Sequence, residues 1–233
     1  MSRFFLVFMS LCWLPVNFSY GNPFQNGVPG IKPAGLQKGS FHIDISGGLT
    51  LPFSDVDHLR PEPAFDVMGG YNFSYGLSVQ ASLTKGWMNA GEKNEEDRYF
   101  LNNYWSENFI IRFNPMAIWR PQVNSAPNFY LGTGIALVQS YTTAQYRPGK
   151  AGGYKGNYDG NDLFIPAEAG INIPVAEINN RSDRPYSQFL DLNINYRYYF
   201  GFTDSMDGYS PLARYNKHND SFSIFSVGLS YVF

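Results

Sequence analysis

The last thirteen residues, SFSIFSVGLSYVF, alternate between two kinds of side chain up to the final position. Apolar residues recur at every second place: Phe225, Val227, Leu229, Tyr231 and Phe233. Successive side chains of a β-strand point to opposite faces, so these five share one face, and serine and glycine occupy the other. Chain ends are usually frayed and polar. Here the apolar face continues to the last residue, so something outside the strand must cover it.

Seven earlier segments show the same period of two, near residues 41–51, 65–73, 77–83, 108–119, 129–140, 163–173 and 190–198. Together with the last segment they make about eight strands of roughly ten residues each, the length that crosses a bilayer at a tilt. The connections alternate as well. SYG and RPQVNSAP, after the second and fourth strands, are short. The connections after the odd-numbered strands are longer and more polar. The connection after the sixth strand, near residues 174–187, departs from this pattern because it is long. The pattern predicts one all-β domain, an eight-stranded antiparallel up-and-down barrel, with both ends of the barrel sequence on the short-turn side.

The orientation of the two faces separates a soluble lipocalin-like barrel from a transmembrane β-barrel. The polar faces are rich in glycine, serine and asparagine, which suit a narrow lumen better than a solvated surface. Aromatic residues cluster at the ends of the apolar faces, as in the girdles at the two interfaces of a membrane barrel. The predicted girdle residues are Phe41, Phe73, Trp119, Phe129, Tyr231 and Phe233 at the short-turn end, and Phe65, Trp87 and Trp105 at the long-loop end. The sequence therefore favours a barrel whose apolar face meets lipid.

The N-terminus predicts export. Arg3 precedes the apolar run FFLVFMSLCWLPV, which is too short to cross a bilayer as a helix, and SYG offers small residues for cleavage. We expect a signal peptide at residues 1–21, a flexible lead-in at 22–39 and the barrel at 40–233. Cys12, the only cysteine, lies in the signal peptide and lacks the preceding small residue of a lipidation site, so the mature chain has neither disulfides nor a thiol nucleophile. The net charge of −2, without a basic stripe, speaks against nucleic acid as a partner.

The C-terminal FSVGLSYVF resembles the assembly signature of bacterial outer-membrane barrels, which implies that Phe225, Val227, Leu229, Tyr231 and Phe233 act as a signal to the barrel-assembly machinery. With YFLNNYWSENFIIRF, FYLGTGIAL and TDSMDGYSP, the chain from about residue 40 resembles the OmpA-like eight-stranded barrel domain, in the porin-like form common in Bacteroidetes. The resemblance implies a Gram-negative outer-membrane location in contact with outer-membrane lipid. No peptidoglycan-binding domain follows the barrel in this sequence, so we do not expect a cell-wall anchor.

Six charged residues fall on the inward faces: Asp44, Asp66, Arg112, Glu168, Asp191 and Arg197. Buried charges in a narrow lumen are costly unless paired, so each arginine should contact at least one of the carboxylates. The simpler interpretation is a structural network that fills the barrel. The alternative is a gate in which an arginine exchanges carboxylate partners to open a water path.

The sequence gives little support for a catalytic site or a metal site. His42 is expected to face inward, and His58 and His218 lie in loops without the spacing of a metal site, so we expect neither metal nor cofactor. His218, Asp220 and Ser221 lie at the height where some outer-membrane barrels carry catalytic residues at the rim, acting on lipid or peptide.

The third long loop, residues 142–162, carries tyrosines and basic residues that suit a surface glycan, lipopolysaccharide or a protein partner. They are Tyr146, Tyr154, Tyr158, Arg147, Lys150 and Lys155. DGND, residues 159–162, lacks the spacing of a dedicated calcium loop. We therefore expect a non-enzymatic protein that has a structural role or interacts through its loops. A small gated pore and a rim enzyme are the alternatives.

Overall fold

The computed structural model describes residues 39–53, 59–74, 76–91, 98–115, 127–146, 155–179, 188–202, 206 and 220–233. The predicted signal peptide and all of the lead-in except Gly39 lie outside these residues. Within them, no helix is long and apolar enough to cross a membrane.

The described residues form strands and little else. The strands are β1 Ser40–Phe53, β2 Leu59–Arg60, β3 Glu62–Ser74, β4 Leu77–Gly91, β5 Arg98–Phe113, β6 Asn128–Tyr146, β7 Lys155–Asn179, β8 Gln188–Gly201 and β9 Ser221–Val232. The two residues of β2 pair only with β4. The other eight strands form the barrel.

The sheet closes on itself, and every pairing between neighbouring strands is antiparallel. β1 pairs with β3 on one side and with β9 on the other, and β4 pairs with β5 to complete the circle. At the junction of first and last strands, the backbone N–H groups of Phe41 and Phe233 each donate to the other residue's carbonyl at 2.9 Å. The predicted eight-stranded antiparallel barrel is therefore confirmed, and the last strand has no free edge.

The strands are tilted, so rows of cross-strand partners climb around the barrel. From Asp44 on β1 the successive partners are Met68, Ser82, Asn108, Ala136, Phe164 and Gly201, the last residue of β8. The neighbouring Phe200 pairs with Ser221, which pairs with Phe53 at the far end of β1. A row that leaves β1 near its start thus returns near its end, as the shear of a closed barrel requires. We call the end where β1, β4, β6 and β8 finish the loop end, and the opposite end the turn end.

The alternation places apolar side chains outside. Ile45 is 65% exposed and Phe65 is 58% exposed, whereas their strand neighbours Ser46, Ala64 and Asp66 are buried inside the barrel. The outer wall is thus mostly apolar around the circumference, and the interior is mostly polar. This is the inverse of a soluble lipocalin-like barrel and the arrangement of a barrel that spans a bilayer.

The strands extend further than the sequence predicted, and the contrast between short turns and long loops is partly wrong. Residues 142–146 and 155–162 of the predicted third loop are paired strand, with Thr142 opposite Tyr158. Gly91 pairs with Tyr99, which leaves only residues 92–97 between β4 and β5. Backbone groups continue to pair even where the side chains are polar, so composition misplaced these boundaries.

At the turn end the error is reversed, because β5 stops at Phe113 and not near residue 119. Pro115 follows two residues later and has no N–H to donate to a ladder. The connection from β5 to β6, residues 114–127, is therefore longer than the predicted turn.

Candidate functional site in the barrel lumen

Glu168 on β7 is the centre of a charge network inside the barrel. Arg112 Nε on β5 donates to Glu168 Oε1 at 2.5 Å, and Arg197 Nε on β8 donates to Oε2 at 3.1 Å. Gln80 and Asn195 also donate to this carboxylate, each at 3.1 Å. All five side chains are buried. The Glu168 carboxylate thus accepts hydrogen bonds from side chains on opposite walls of the barrel, and its negative charge strengthens each of them.

Each arginine also has a second carboxylate. Arg112 Nη1 lies 3.7 Å from Asp44 Oδ2, and Arg197 Nη2 lies 3.5 Å from Asp66 Oδ2. Thr84 donates to Asp66 at 2.5 Å. The structure thus brings together five of the six predicted lumen charges.

Asp191 is the sixth predicted lumen charge, and it stands apart from this network. It is buried on β8, and its Oδ1 atom has no hydrogen-bond partner in the described part of the chain. No arginine forms an ion pair with it among the described residues. Parity placed it in the lumen, but it lies in the turn-end half of its strand, away from the loop-side Asp66–Arg197 contact.

Two inward glycines make room for the network. A Cβ added to Gly132 would collide with the side chain of Glu168, and one added to Gly170 would collide with the ring and hydroxyl of Tyr130. The Arg112 guanidinium lies 4.0 Å from the centre of the Tyr130 ring, a cation–π contact. Asn195 donates to the Tyr130 hydroxyl at 2.8 Å. The glycine-rich inner faces therefore allow large polar side chains to meet in a narrow barrel.

An aromatic layer fills the lumen between the charges and the loop end. The rings of Tyr199 and Phe222 stack with their centres 4.1 Å apart, and Tyr104 and Phe164 pack against Phe222 at 5.1 and 5.5 Å. The Tyr104 hydroxyl hydrogen-bonds Thr50 Oγ1 at 2.7 Å. None of the residues predicted for the lumen belongs to this layer. The sequence does contain a signal for this layer, because bulky aromatic residues occupy strand positions that alternate in phase with the inward-facing polar residues.

Met206 adds a further cover from the connection between β8 and β9. Its carbonyl accepts hydrogen bonds from Asn102 Nδ2 and Thr142 Oγ1 at 2.7 and 2.8 Å, and its N–H donates to Asp220 Oδ2 at 2.8 Å. The side chain is buried in the same cluster as the aromatic layer. The sequence predicted only a long, polar connection here. Met206 is nevertheless buried, because its hydrogen-bond partners on β5 and β6 hold it at the loop end of the barrel.

The two lumen cavities that we identify among the described residues are small. A cavity of about 20 Å³ lies towards the turn end beside His42, Arg112 and Tyr130. Another of about 10 Å³ lies beside Asp66 and Arg197. Each is about the size that holds a single water molecule.

The predicted girdle residues that the structure describes lie on the outer wall. Phe41 packs against Tyr71 and stacks on Phe233, whereas Phe65 meets Trp87 edge to face near the loop end. The predicted girdle and assembly-signal side chains that are exposed or half-exposed are Phe41, Phe65, Phe73, Trp87, Trp105, Phe129, Phe225, Val227, Leu229, Tyr231 and Phe233. Trp119 lies outside the described residues. The function of the last five in assembly stays a prediction.

The rim residues considered for catalysis do not converge where they are described. Asp220 is buried and accepts the Met206 N–H, whereas the Ser221 hydroxyl hydrogen-bonds the Tyr198 hydroxyl at 2.7 Å. His58 and His218 lie outside the described residues. No group of three metal-ligating side chains occurs in the described part of the chain. Of the predicted binding residues of the third loop, Tyr158 is exposed on β7, Arg147, Lys150 and Tyr154 lie outside the described residues, and the side chains of Tyr146 and Lys155 are likewise not described.

The sequence matches no family model and no curated protein. Among solved structures, the chain is similar to Ail, the attachment invasion locus protein of Yersinia pestis, crystallised with the heparin analogue sucrose octasulfate (14% identity, 84% of this chain and 100% of Ail covered, TM-score 0.46). It is also similar to Neisserial surface protein A (13%, 83% and 98%, TM-score 0.46) and to OprG from Pseudomonas aeruginosa (12%, 86% and 99%, TM-score 0.43). These similarities concern the fold alone. The strand pairing of the chain itself establishes that fold, which is the fold of the eight-stranded outer-membrane barrels.

Proposed function

We propose that this protein is a non-enzymatic outer-membrane barrel of a Gram-negative bacterium that acts through the connections at its loop end. The closed lumen is the observation that carries the proposal. Glu168 is bound by two arginines, an aromatic layer covers it, and the described cavities are about the size of one or two water molecules. A barrel of this kind offers partners its rim and its outer wall.

The partner class we favour is a surface glycan or lipopolysaccharide, bound at the β6–β7 hairpin. The two strands stay paired as far as Gln145 and Lys155, whereas β8 pairs with β7 only up to Phe164. The hairpin therefore projects beyond the neighbouring strand. Exposed Tyr141 and Tyr158 lie on it, and tyrosine is well suited to contacts with sugars and proteins.

The experiment has two arms. Purified protein in planar bilayers should give no steady conductance of porin size. In a second measurement, immobilised protein should retain lipopolysaccharide micelles, and a variant with residues 147–154 replaced by a Gly-Ser linker should lose retention while its unfolding curve stays unchanged. Replacement of residues 92–97 by the same kind of linker is the matched control. Steady porin-sized current, or equal retention by both variants, would contradict the proposal.

A small gated pore is the second candidate, because Arg112 and Arg197 share one carboxylate and each has a second one nearby. An arginine that moved wholly to Asp44 or Asp66 would loosen the centre of the lumen. Brief, voltage-dependent openings that become longer or more frequent in the Glu168→Gln variant, in which both arginines lose their shared anion, would favour this function over the first.

A further inference from the structure

Two opposite charges lie on the lipid-facing wall of the barrel. Lys85 on β4 and Glu107 on β5 both occupy outward positions. On the turn-end side of them the outward residues are the exposed Leu83 and Phe109. On the loop-end side the next outward residue of each strand is a tryptophan, Trp87 or Trp105. Both charges thus lie between the aliphatic band and the tryptophans, below the level at which lipid headgroups meet the aromatic girdle.

The tilt of the strands places these two charges at about the same height. Lys85 pairs directly with Trp105 and not with Glu107. Because rows of partners climb from β4 to β5, Trp105 lies nearer the loop end than Lys85. Glu107 is two residues down β5 from Trp105, and at the usual tilt of about 35–45° this step slightly exceeds the climb and leaves Glu107 about 2 Å nearer the turn end than Lys85. A line from Lys85 to Glu107 is therefore nearly parallel to the membrane plane.

Within one barrel the two charges do not neutralise each other. Lys85 Nζ donates to Asn103 Oδ1 and lies 4.7 Å from the centre of the Trp105 ring. Glu107 is exposed and forms no hydrogen bond or ion pair with any residue that the structure describes. Charges that face lipid destabilise the barrel, so a cationic partner would stabilise a carboxylate in this position.

We infer that the outer wall around Lys85 and Glu107 docks a second copy of this chain, related by a two-fold axis along the membrane normal. Such an axis between the two residues sets Lys85 of each copy against Glu107 of the other, so the contact contains two opposite-charge pairs. The contact is isologous, with one patch serving both sides. On the turn-end side of the charges, Leu83 of each copy then meets Phe109 of the other. On the loop-end side, the tryptophans cover the charge pairs.

A second copy fits this patch better than a lipid headgroup does. A phosphate drawn to Lys85 would be repelled by Glu107 beside it, and headgroups lie level with the tryptophans or above them. A patch with one charge of each sign at similar height is self-complementary. Ala81 and Gly69, direct partners on the outward face nearby, add little bulk to the wall, and a Cβ on Gly69 would meet nothing within 4 Å.

Charge-reversal variants mixed in pairs test the inference. In Lys85→Glu, two carboxylate–carboxylate contacts would replace the two pairs, and in Glu107→Lys two ammonium–ammonium contacts would replace them. Each variant alone should associate at least roughly tenfold more weakly than the wild type in lipid vesicles, measured by fluorescence energy transfer between labelled chains.

A mixture of the two variants should recover association. The carboxylate introduced at position 85 of one copy then meets the ammonium introduced at position 107 of the other, and the native Lys85 and Glu107 pair across the second contact. Each position keeps a charge in both variants, and a heat-dependent gel shift verifies that both fold.

Glu62→Lys, a reversal at the rim of β3 outside the patch, is the matched control and should associate like the wild type. The inference is overturned if the wild type stays monomeric as the ratio of protein to lipid rises. It is also overturned if the single variants associate as well as the wild type, or if mixing them restores nothing.

Discussion

Arg112 and Arg197 lie on β5 and β8 and donate to different oxygens of one carboxylate, that of Glu168. Neither guanidinium is left without an anion, and the anion accepts hydrogen bonds at both of its oxygens. Two walls of the barrel are thus joined through a single side chain on a third strand. The stability of the barrel, its low permeability and the gate alternative all depend on this arrangement.

Replacement of Glu168 by glutamine should strongly destabilise the barrel. The change keeps the shape but removes the charge between two buried guanidinium groups, which should lower the free energy of unfolding by about 3–5 kcal/mol. Urea unfolding in lipid vesicles measures it. Glu62→Gln is the control, because Glu62 accepts one long hydrogen bond from Asn89 at the rim and should cost about 1 kcal/mol or less. Equal losses in both variants would refute a central role for Glu168.

A charge on the outer wall should reveal which face meets lipid. Ile135 is 57% exposed in the middle of β6, and Ile135→Arg should lower the free energy of unfolding by about 2–4 kcal/mol in a bilayer. Ile135→Leu keeps the apolar surface and should change it by less than about 1 kcal/mol. The same urea titration measures both variants. If arginine were tolerated as well as leucine, the lipid-facing assignment would be wrong.

Deletion of Phe233 should impair assembly more than loss of its ring. The backbone of Phe233 makes two hydrogen bonds with Phe41 that close the barrel, and its ring stacks on those of Phe41 and Tyr231. Phe233→Ala keeps the backbone bonds, whereas deletion removes them. The measurement is the fraction of protein in outer membranes that runs as the compact, heat-modifiable form. Indistinguishable fractions for the two variants would show that strand closure is not what the last residue contributes.

Loss of the two donors to the Met206 carbonyl should loosen Met206 at the loop end of the barrel. The double variant Asn102→Ala and Thr142→Val removes both donors to the Met206 carbonyl. The Met206 N–H, which donates to Asp220, should then exchange its hydrogen faster, because the free energy of a local opening that these bonds oppose falls by about 1–3 kcal/mol. Asn103→Ala, on the outer face of β5, should leave the exchange rate unchanged. Unchanged exchange in the double variant would mean that Asn102 and Thr142 do not hold Met206 in place.

Sequence alone was sufficient for the fold, the number of barrel strands and the face that meets lipid. The reason is that alternation is a local property: the pleat of a strand sends Phe225 and Val227 to one side and Ser226 to the other whatever the strand pairs with. The same parity placed Asp44, Asp66, Arg112, Glu168, Asp191 and Arg197 in the lumen. It could also have revealed the aromatic layer, since Phe164 and Phe222 occupy inward positions.

The tertiary structure decided which of these residues meet. Cross-strand register and tilt set the height of every side chain around the closed ring, so Glu168 reaches both arginines while Asp191, equally inward, reaches neither. For the same reason Lys85 and Glu107 come to similar heights on the outer wall although they are not direct partners. Met206 could not be placed from its own segment, because its hydrogen-bond partners on β5 and β6 are brought to it only by the closed barrel. The local sequence of each strand determines which face a side chain points to. The height of that side chain in the barrel and the residues it contacts are determined only when all eight strands have paired.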